Sequence, residues 1–463
     1  MKPGYSMLRL LVVALFFAAC QKDTGEPVAT TALVSSDAGA GATGNLLKDS
    51  TLLLTKDIYL WYNQIPTSFD ARSYNDPVKI MEAIRPYSIE PGFTDAVDRY
   101  SFAIAKDEWD AMSEGMSAVA VGTAANGNIG LTALFRVEGD LRVRLVEPES
   151  PAGRAGIRRG WRITRVNDND NITTSNATFL VDNIYNSASV SLTFLKPDGS
   201  SQTINLNQSH YAEKPVYLDS VFNINNRNIG YLVLNSFLGD QQGIYAEFDR
   251  VFAKFQAAQV SDVIVDLRYN GGGYVSVQER LANYLVNASA NGNVMMKQTY
   301  NAKNTNKNET TLFRKQGSIN LNRLYFIVSR ATASASELLI NNLKPYMDVQ
   351  MVGNTTYGKP VGFYPVPVGD WYIFPVSFKT TNRNGEGNYF NGLNVNSRIA
   401  DGLDKEWGDL SESCLANVIR NIASGSYRSM GPETPFEESL QVTNGNNTLE
   451  KPFLKTAIAK EKN

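Results

Sequence analysis

The spacing of apolar residues changes period along the chain, and the changes divide it. Leu52, Leu53, Leu54, Ile58, Tyr59 and Trp61 fall at three- and four-residue spacings, as do Ile80, Met81 and Ile84, so residues 46–116 predict a helical domain. Asp107-Glu108-Trp109 opens a further short helix within it. From 117 to 210 the period is closer to two: Leu141-Arg142-Val143-Arg144-Leu145-Val146, Trp161 to Val166 and Val190 to Phe194 alternate, with Pro151 to Ile157 between them as a short helix and a glycine turn. This predicts a β-rich domain. From 211 to 427 apolar strands alternate with helical stretches. Val263-Ile264-Val265-Asp266 precedes Val277 to Leu285, and Leu324 to Val328 precedes Ala335 to Leu343, the signature of an α/β layer with buried strands. Residues 21–45 are rich in Ala, Gly, Thr and Ser and predict a flexible tether. Residues 428–463 form a polar, irregular tail. The expected class is therefore α/β and multidomain.

Composition narrows the chemistry. The net charge is −2 and no basic block stands out, so nucleic acid is not an expected partner. His210 is the single histidine, and Cys20 and Cys414 are the two cysteines. A zinc site of His and Cys is close to excluded, and a Ser-His-Asp triad would need His210 as its base. No metal or cofactor is expected. His210 itself falls in the connection after the β-rich region and reads as a bystander.

The N-terminus carries Lys2 and Arg9, then an apolar run from Leu10 to Ala19. That is the layout of a secretory signal peptide over 1–20, and the run is too short to span a bilayer. It ends Phe16-Phe17-Ala18-Ala19-Cys20 and resembles a bacterial lipobox. The resemblance implies lipidation at Cys20 and a cell-envelope protein held to a membrane, the outer membrane in particular, on its periplasmic or surface face.

The most informative segment is Ser329-Arg330-Ala331-Thr332-Ala333-Ser334-Ala335-Ser336-Glu337-Leu338. A buried strand ends, small residues turn, and a helix begins at Ser334, where unpaired backbone N–H groups and the helix dipole favour a developing oxyanion. The same residues also suit a helix cap, with Glu337 completing a capping box. Further on, Tyr357-Gly358-Lys359-Pro360 follows the strand Val349 to Val352. A lysine held among apolar groups has its pKa lowered by desolvation and can act as a general base.

Together these segments resemble the carboxyl-terminal processing peptidases, also called tail-specific proteases. Thr332 to Glu337 matches the nucleophile segment of that family. Tyr357-Gly358-Lys359 matches its aromatic-Gly-Lys loop, twenty-five residues after the serine. Asp266-Leu267-Arg268-Tyr269-Asn270-Gly271-Gly272-Gly273 is similar to its strand-ending glycine loop. The resemblance spans about 46 to 424 and implies a crotonase-like α/β serine peptidase domain. In it Ser334 is the nucleophile, Lys359 the base, and the N–H of Ala335 with that of Gly271 or Gly272 the oxyanion hole. One position departs: many members place a Gln four residues after the lysine to orient it, and here Phe363 stands there. Ser336, Glu337 and Asn270 are the candidates for orienting the lysine instead.

Glu149 to Gly160 resembles part of a PDZ domain, a module that captures the extended end of a polypeptide by adding it to a sheet edge. The matching groove would begin at Gly130 and Leu131, with protein or peptide substrates as partners. Arg158 and Arg159 read as a solvated turn. The alternative function is a non-catalytic lipoprotein that keeps the fold as a peptide- or ligand-binding module. Phe363 favours that alternative, whereas the serine, the lysine and the glycine loop favour a peptidase.

Overall fold

In a computed structural model of the chain, the structure describes residues 40–116 and 128–427. The signal peptide with Cys20, most of the tether, and the tail 428–463 lie outside these residues.

The first described elements are α1 (Ala40–Ile58), α2 (Pro77–Ile84), the strand β1 (Phe102–Ala105) and α3 (Lys106–Ser113). Helix α1 begins ahead of Leu46, so its first turn takes in residues read as tether. Helix α2 starts where its sequence dictates: the Asp76 carboxylate accepts from Lys79 N–H at 2.9 Å, and Pro77 occupies the first helical position, where its missing N–H costs nothing.

Next come β2 (Leu131–Phe135), β3 (Leu141–Val146), α4 (Pro151–Arg154), β4 (Arg162–Val166), α5 (Ala177–Tyr185), β5 (Ser189–Leu195) and β6 (Ser201–Asn207). The strands form a 5-stranded antiparallel sheet in the order β2-β3-β4-β5-β6. Its inward residues, among them Phe135, Val143, Ile163, Leu192 and Phe194, meet Leu180 and Ile184 of α5 in a core of their own, as alternation along half-buried strands requires.

The remainder contains β7 (Val216–Ile224), β8 (Arg227–Leu234), α6 (Gln241–Ala257), β9 (Asp262–Asp266), α7 (Val275–Leu285), β10 (Val294–Tyr300), β11 (Glu309–Leu312), β12 (Arg323–Val328), α8 (Ala335–Leu343), β13 (Asp348–Gly353), β14 (Val361–Gly362), β15 (Val366–Val368), β16 (Trp371–Phe374), β17 (Phe378–Thr381), β18 (Ser397–Arg398) and α9 (Ser413–Ser424). A 6-stranded sheet runs β18-β13-β12-β9-β8-β7, parallel except for the β7–β8 hairpin. Its strands read as continuous apolar runs because both faces are covered. Val263, Val265, Leu324, Phe326 and Val328 pack with α6, α7 and α8. The intervening Ile264, Tyr325 and Ile327 pack with Leu415, Val418 and Ile422 of α9.

The N-terminal helices share this core rather than enclosing one. Tyr59, Trp61, Ile80, Ile84 and Trp109 join the cluster that holds α6 to α8, and β1 pairs antiparallel with β16, Phe102 opposite Phe374. Helical spacing shows which face of a helix is apolar but not which surface will cover it.

Candidate active site

The adjacent parallel strands β9, β12 and β13 release their chains at the same edge of the sheet, the carboxyl end at which open α/β sheets place their sites. Residues 267–273 follow β9, residues 329–334 follow β12, and residues 354–359 follow β13. Short bonds fasten the first two loops together. Thr332 Oγ1 donates to Leu267 O at 2.8 Å, Ala333 N–H to Asn270 O at 3.1 Å, Ser336 Oγ to Asn270 O at 2.9 Å, and Ser329 Oγ to Arg268 O. Tyr357 N–H donates to Thr332 O at 2.9 Å and brings in the third loop.

Ser334 sits where these loops meet, immediately before α8. Its φ is +62°, a conformation that L-residues other than Gly adopt rarely and that clusters at functional sites. Its side chain is fully buried, and among the described residues its Oγ has no hydrogen-bond partner. Of the cap, the bond from Ser334 N–H to Glu337 Oε2 measures 2.9 Å, while the hydroxyl makes no hydrogen bond of its own there. A buried hydroxyl without a partner is costly and rare enough to call for a reason. Gly272 presses against this residue, since a Cβ there would lie 2.8 Å from Ser334 Cβ and 3.0 Å from Ala335 N. Only glycine allows that approach. The Gly272 N–H is held by Asn270 Oδ1 at 2.9 Å. Ala335 supplies the first helical residue of α8, so its N–H is one of the donors a helix cannot use internally.

Lys359 is reached through Glu337. The Glu337 carboxylate, itself fully buried, accepts from Ser334 N–H and also from Lys359 N–H at 2.8 Å, Gly358 N–H at 2.6 Å and the Thr356 hydroxyl at 2.5 Å. One carboxylate thus pins the serine turn to the lysine loop. Burial pushes the Glu337 carboxyl up from its ordinary range, while these donors pull the other way. Of the orienting candidates, Glu337 meets the lysine segment by way of its backbone. Ser336, in α8, donates its hydroxyl to Asn270 O in the glycine loop.

The Lys359 side chain is fully buried. Burial holds its ammonium well below the ordinary lysine range, against the opposing charges of Asp98 and Glu337. Its Nζ lies 3.8 Å from the centre of the Phe363 ring and 5.6 Å from that of Tyr100. The N-terminal segment grips this loop from outside. Arg99 donates to Tyr357 O at 2.7 Å and Phe390 O at 3.0 Å, and the Tyr100 hydroxyl donates to Gly358 O. Nothing in the local sequence of 98–102 signals this role.

The β-rich region supplies different features. Gly130 and Leu131 stand at the start of β2, which among the described residues is an edge strand paired with β3. The Gly130 N–H donates to Asn128 Oδ1 at 2.8 Å, so this amide closes its own loop. Further along the edge, Ala133 N–H donates to the hydroxyl of Tyr185, at the end of α5, at 2.9 Å. Arg158 is exposed as expected, but Arg159 is not part of a solvated turn. It is buried and bonded to Asp401 at 2.6 Å and the Tyr269 hydroxyl at 2.7 Å. Asp401 also meets Arg268 at 2.6 Å. Against the burial that would raise it, the Arg159 and Arg268 guanidiniums hold the Asp401 carboxyl down to about 2. Local hydropathy misses Arg159 because its partners come from residues distant in sequence. His210 is exposed and makes no part of the site.

Known proteins resemble this chain in sequence and in fold. The sequence is 24% identical over 264 residues to a Staphylococcus aureus protein assigned as a CtpA-like serine protease, covering 57% of this chain and 49% of that one. It is 26% identical over 247 residues to the carboxy-terminal processing protease CtpB of Bacillus subtilis, covering 50% and 47%. The chain thus spans about half the length of these curated relatives. In fold it is similar to a Bacteroides fragilis protein assigned as an S41 protease, with a TM-score of 0.66 at 20% identity, covering 81% of this chain and 97% of that one. Residues 228–395, which hold the glycine loop, Ser334 and Lys359, match the model for peptidase family S41. The family match thus covers the segment that holds the site, and the likeness to the solved structure is one of fold.

Proposed function

We propose that this protein is a serine-type peptidase that cleaves peptide bonds of protein substrates, with Ser334 as nucleophile and Lys359 as its general base. The observation that carries the reading is the shared Glu337 carboxylate. It joins the backbone of both residues at a buried point where, among the described residues, the Ser334 hydroxyl has no partner.

In this reading Lys359 is neutral at rest, because burial disfavours its charged form. It takes the Ser334 proton as Oγ attacks the peptide carbonyl. The oxyanion settles against the N–H groups of Ala335 and Gly271, since Gly272 spends its N–H on Asn270. The Lys359 ammonium then protonates the leaving amine, and water releases the acyl group by the reverse sequence. The chain's own groups complete each step.

The β-rich region, read as PDZ-like, would receive an extended substrate tail along β2 near Gly130 and Leu131. Lipidation at Cys20 would hold the enzyme at the cell envelope.

The test is incubation with fluorescein-labelled unfolded casein and with a fluorophosphonate probe across pH. The expected result is casein cleavage and labelling at Ser334 that rise as Lys359 loses its proton and vanish in folded Ser334→Ala and Lys359→Ala. A folded parent that neither cleaves nor labels at any pH would overturn the proposal, and so would cleavage surviving Ser334→Ala.

A further inference from the structure

A general base must be aimed, and amines are usually aimed by hydrogen bonds. At the position where the resemblance calls for a hydrogen-bonding Gln, this chain has a phenyl ring directly beneath the amine. Lys359 Nζ is 3.8 Å from the Phe363 centroid, inside the range in which a cation is drawn to a ring face. The ring cannot swing away. It meets Phe102 edge-on at 5.5 Å and Phe374 at 5.5 Å, it is fully buried, and Phe102 and Phe374 are stacked at 4.5 Å across the β1–β16 pair. The Tyr100 ring stands 5.6 Å from the same Nζ while its hydroxyl fixes Gly358.

We propose that Phe363, braced by Phe102 and Phe374 and joined by Tyr100, is the positioning residue of Lys359: its ring face aims the amine and holds the ammonium formed when Ser334 gives up its proton. This rests on the peptidase reading above. Its physical basis is selectivity. A ring quadrupole attracts the ammonium far more than the neutral amine, so the contact strengthens as the proton arrives. An interaction stronger in the transition state than in the ground state accelerates the step. Phe363 touches no substrate atom and acts through Lys359. A non-catalytic binding module would have no use for a lysine buried over a braced ring, so the position that departs from the family pattern is explained within the catalytic reading.

The experiment measures kcat/KM on fluorescein-labelled casein against pH for the full chain and for Phe363→Leu, Phe363→Met and Phe363→Tyr, with folding checked by circular dichroism. Leu and Met keep the site apolar and remove the ring, and Met fills most of the volume should Leu loosen the core. The sign follows from the charges: without the ring the ammonium loses stabilisation while its burial remains. The acidic limb of the profile should therefore move to lower pH by about one unit in both variants, with the plateau reduced roughly tenfold. Phe363→Tyr should restore limb and plateau to within about twofold of the parent. Phe363→Leu and Phe363→Met that keep the parent's limb and plateau would overturn the inference while leaving the dyad standing. A limb displaced to higher pH would also overturn it. A parent with no activity sinks the peptidase reading itself, an outcome separate from either.

Discussion

The sheet edge at Ser334 and the sheet edge at β2 are the places where this chain could meet another polypeptide, and they are finished in opposite ways. At Ser334 a hydroxyl is buried, held at positive φ and, among the described residues, left without a bond. At β2 the backbone donors are capped by the protein's own side chains, Asn128 at Gly130 and Tyr185 at Ala133. Unsatisfied polarity inside a packed core is tolerated where chemistry uses it. A capped edge is the usual protection against unwanted strand pairing. On the proposed reading, reactivity belongs to one edge and restraint to the other, and a substrate added to β2 would have to displace Tyr185 first.

The largest expected effect comes from breaking the pin. Glu337→Gln puts an NH2 among backbone N–H donors and should lower stability by about 3 kcal/mol, the cost of spoiling a buried charged network. Activity should fall by at least about a hundredfold as the serine and lysine loops part. Urea denaturation and casein kinetics measure both, and a variant of parental stability would show that Glu337 is not the pin.

Lys359→Met should act in the other direction on stability, raising it by about 1–4 kcal/mol near neutral pH by removing a buried amine. Because burial lowers the folded-state Lys359 value below the unfolded one, the unfolded chain binds more protons between those values. Parental stability therefore rises with pH across that window, and the gain from Lys359→Met should shrink toward its alkaline end. Melting temperatures across pH check the sign.

Ser334→Gly relieves a positive φ and deletes an unpaired hydroxyl. It should stabilise by about 1 kcal/mol while abolishing activity. A destabilised Ser334→Gly would mean that the turn stores no strain. The smallest effect belongs to the other edge. Tyr185→Phe should cost under about 1 kcal/mol and, by freeing Ala133 N–H, tighten binding of an extended peptide roughly threefold. Fluorescence anisotropy with a labelled peptide measures it. Unchanged affinity would mean that peptides do not use this edge.

The sequence discloses these regions unevenly, for a physical reason. Ser334 and Lys359 are legible because each is a local event, a strand running out into small residues or into a Gly-Lys-Pro loop. The strands β9 and β12 are legible because burial on both faces leaves apolar runs at their centres, Val263 to Val265 and Leu324 to Val328. Glu337 is visible as a cap but not as a pin, since its bonds to Gly358 and Lys359 exist only once β12 and β13 are paired. Arg159, Arg99 and Tyr100 give no local signal at all: their partners lie far along the chain and are set by tertiary packing. Phe363 is visible only as a departure from a pattern, and its ring acquires meaning from β1 and β16, which are paired across distant segments.

The grip of Arg99 and Tyr100 on the lysine loop bears on what may be cut away. The family match runs from 228 to 395, whereas these residues lie far upstream of it and hold the carbonyls of Tyr357, Gly358 and Phe390. A fragment trimmed to the match would keep the serine, the lysine and the glycine loop but lose the two residues that hold the lysine loop from outside. Synthesis on the ribosome delivers Arg99 and Tyr100 first and the lysine loop later, so on the proposed reading a nascent chain gains its activity only after its early residues have folded back onto its late ones.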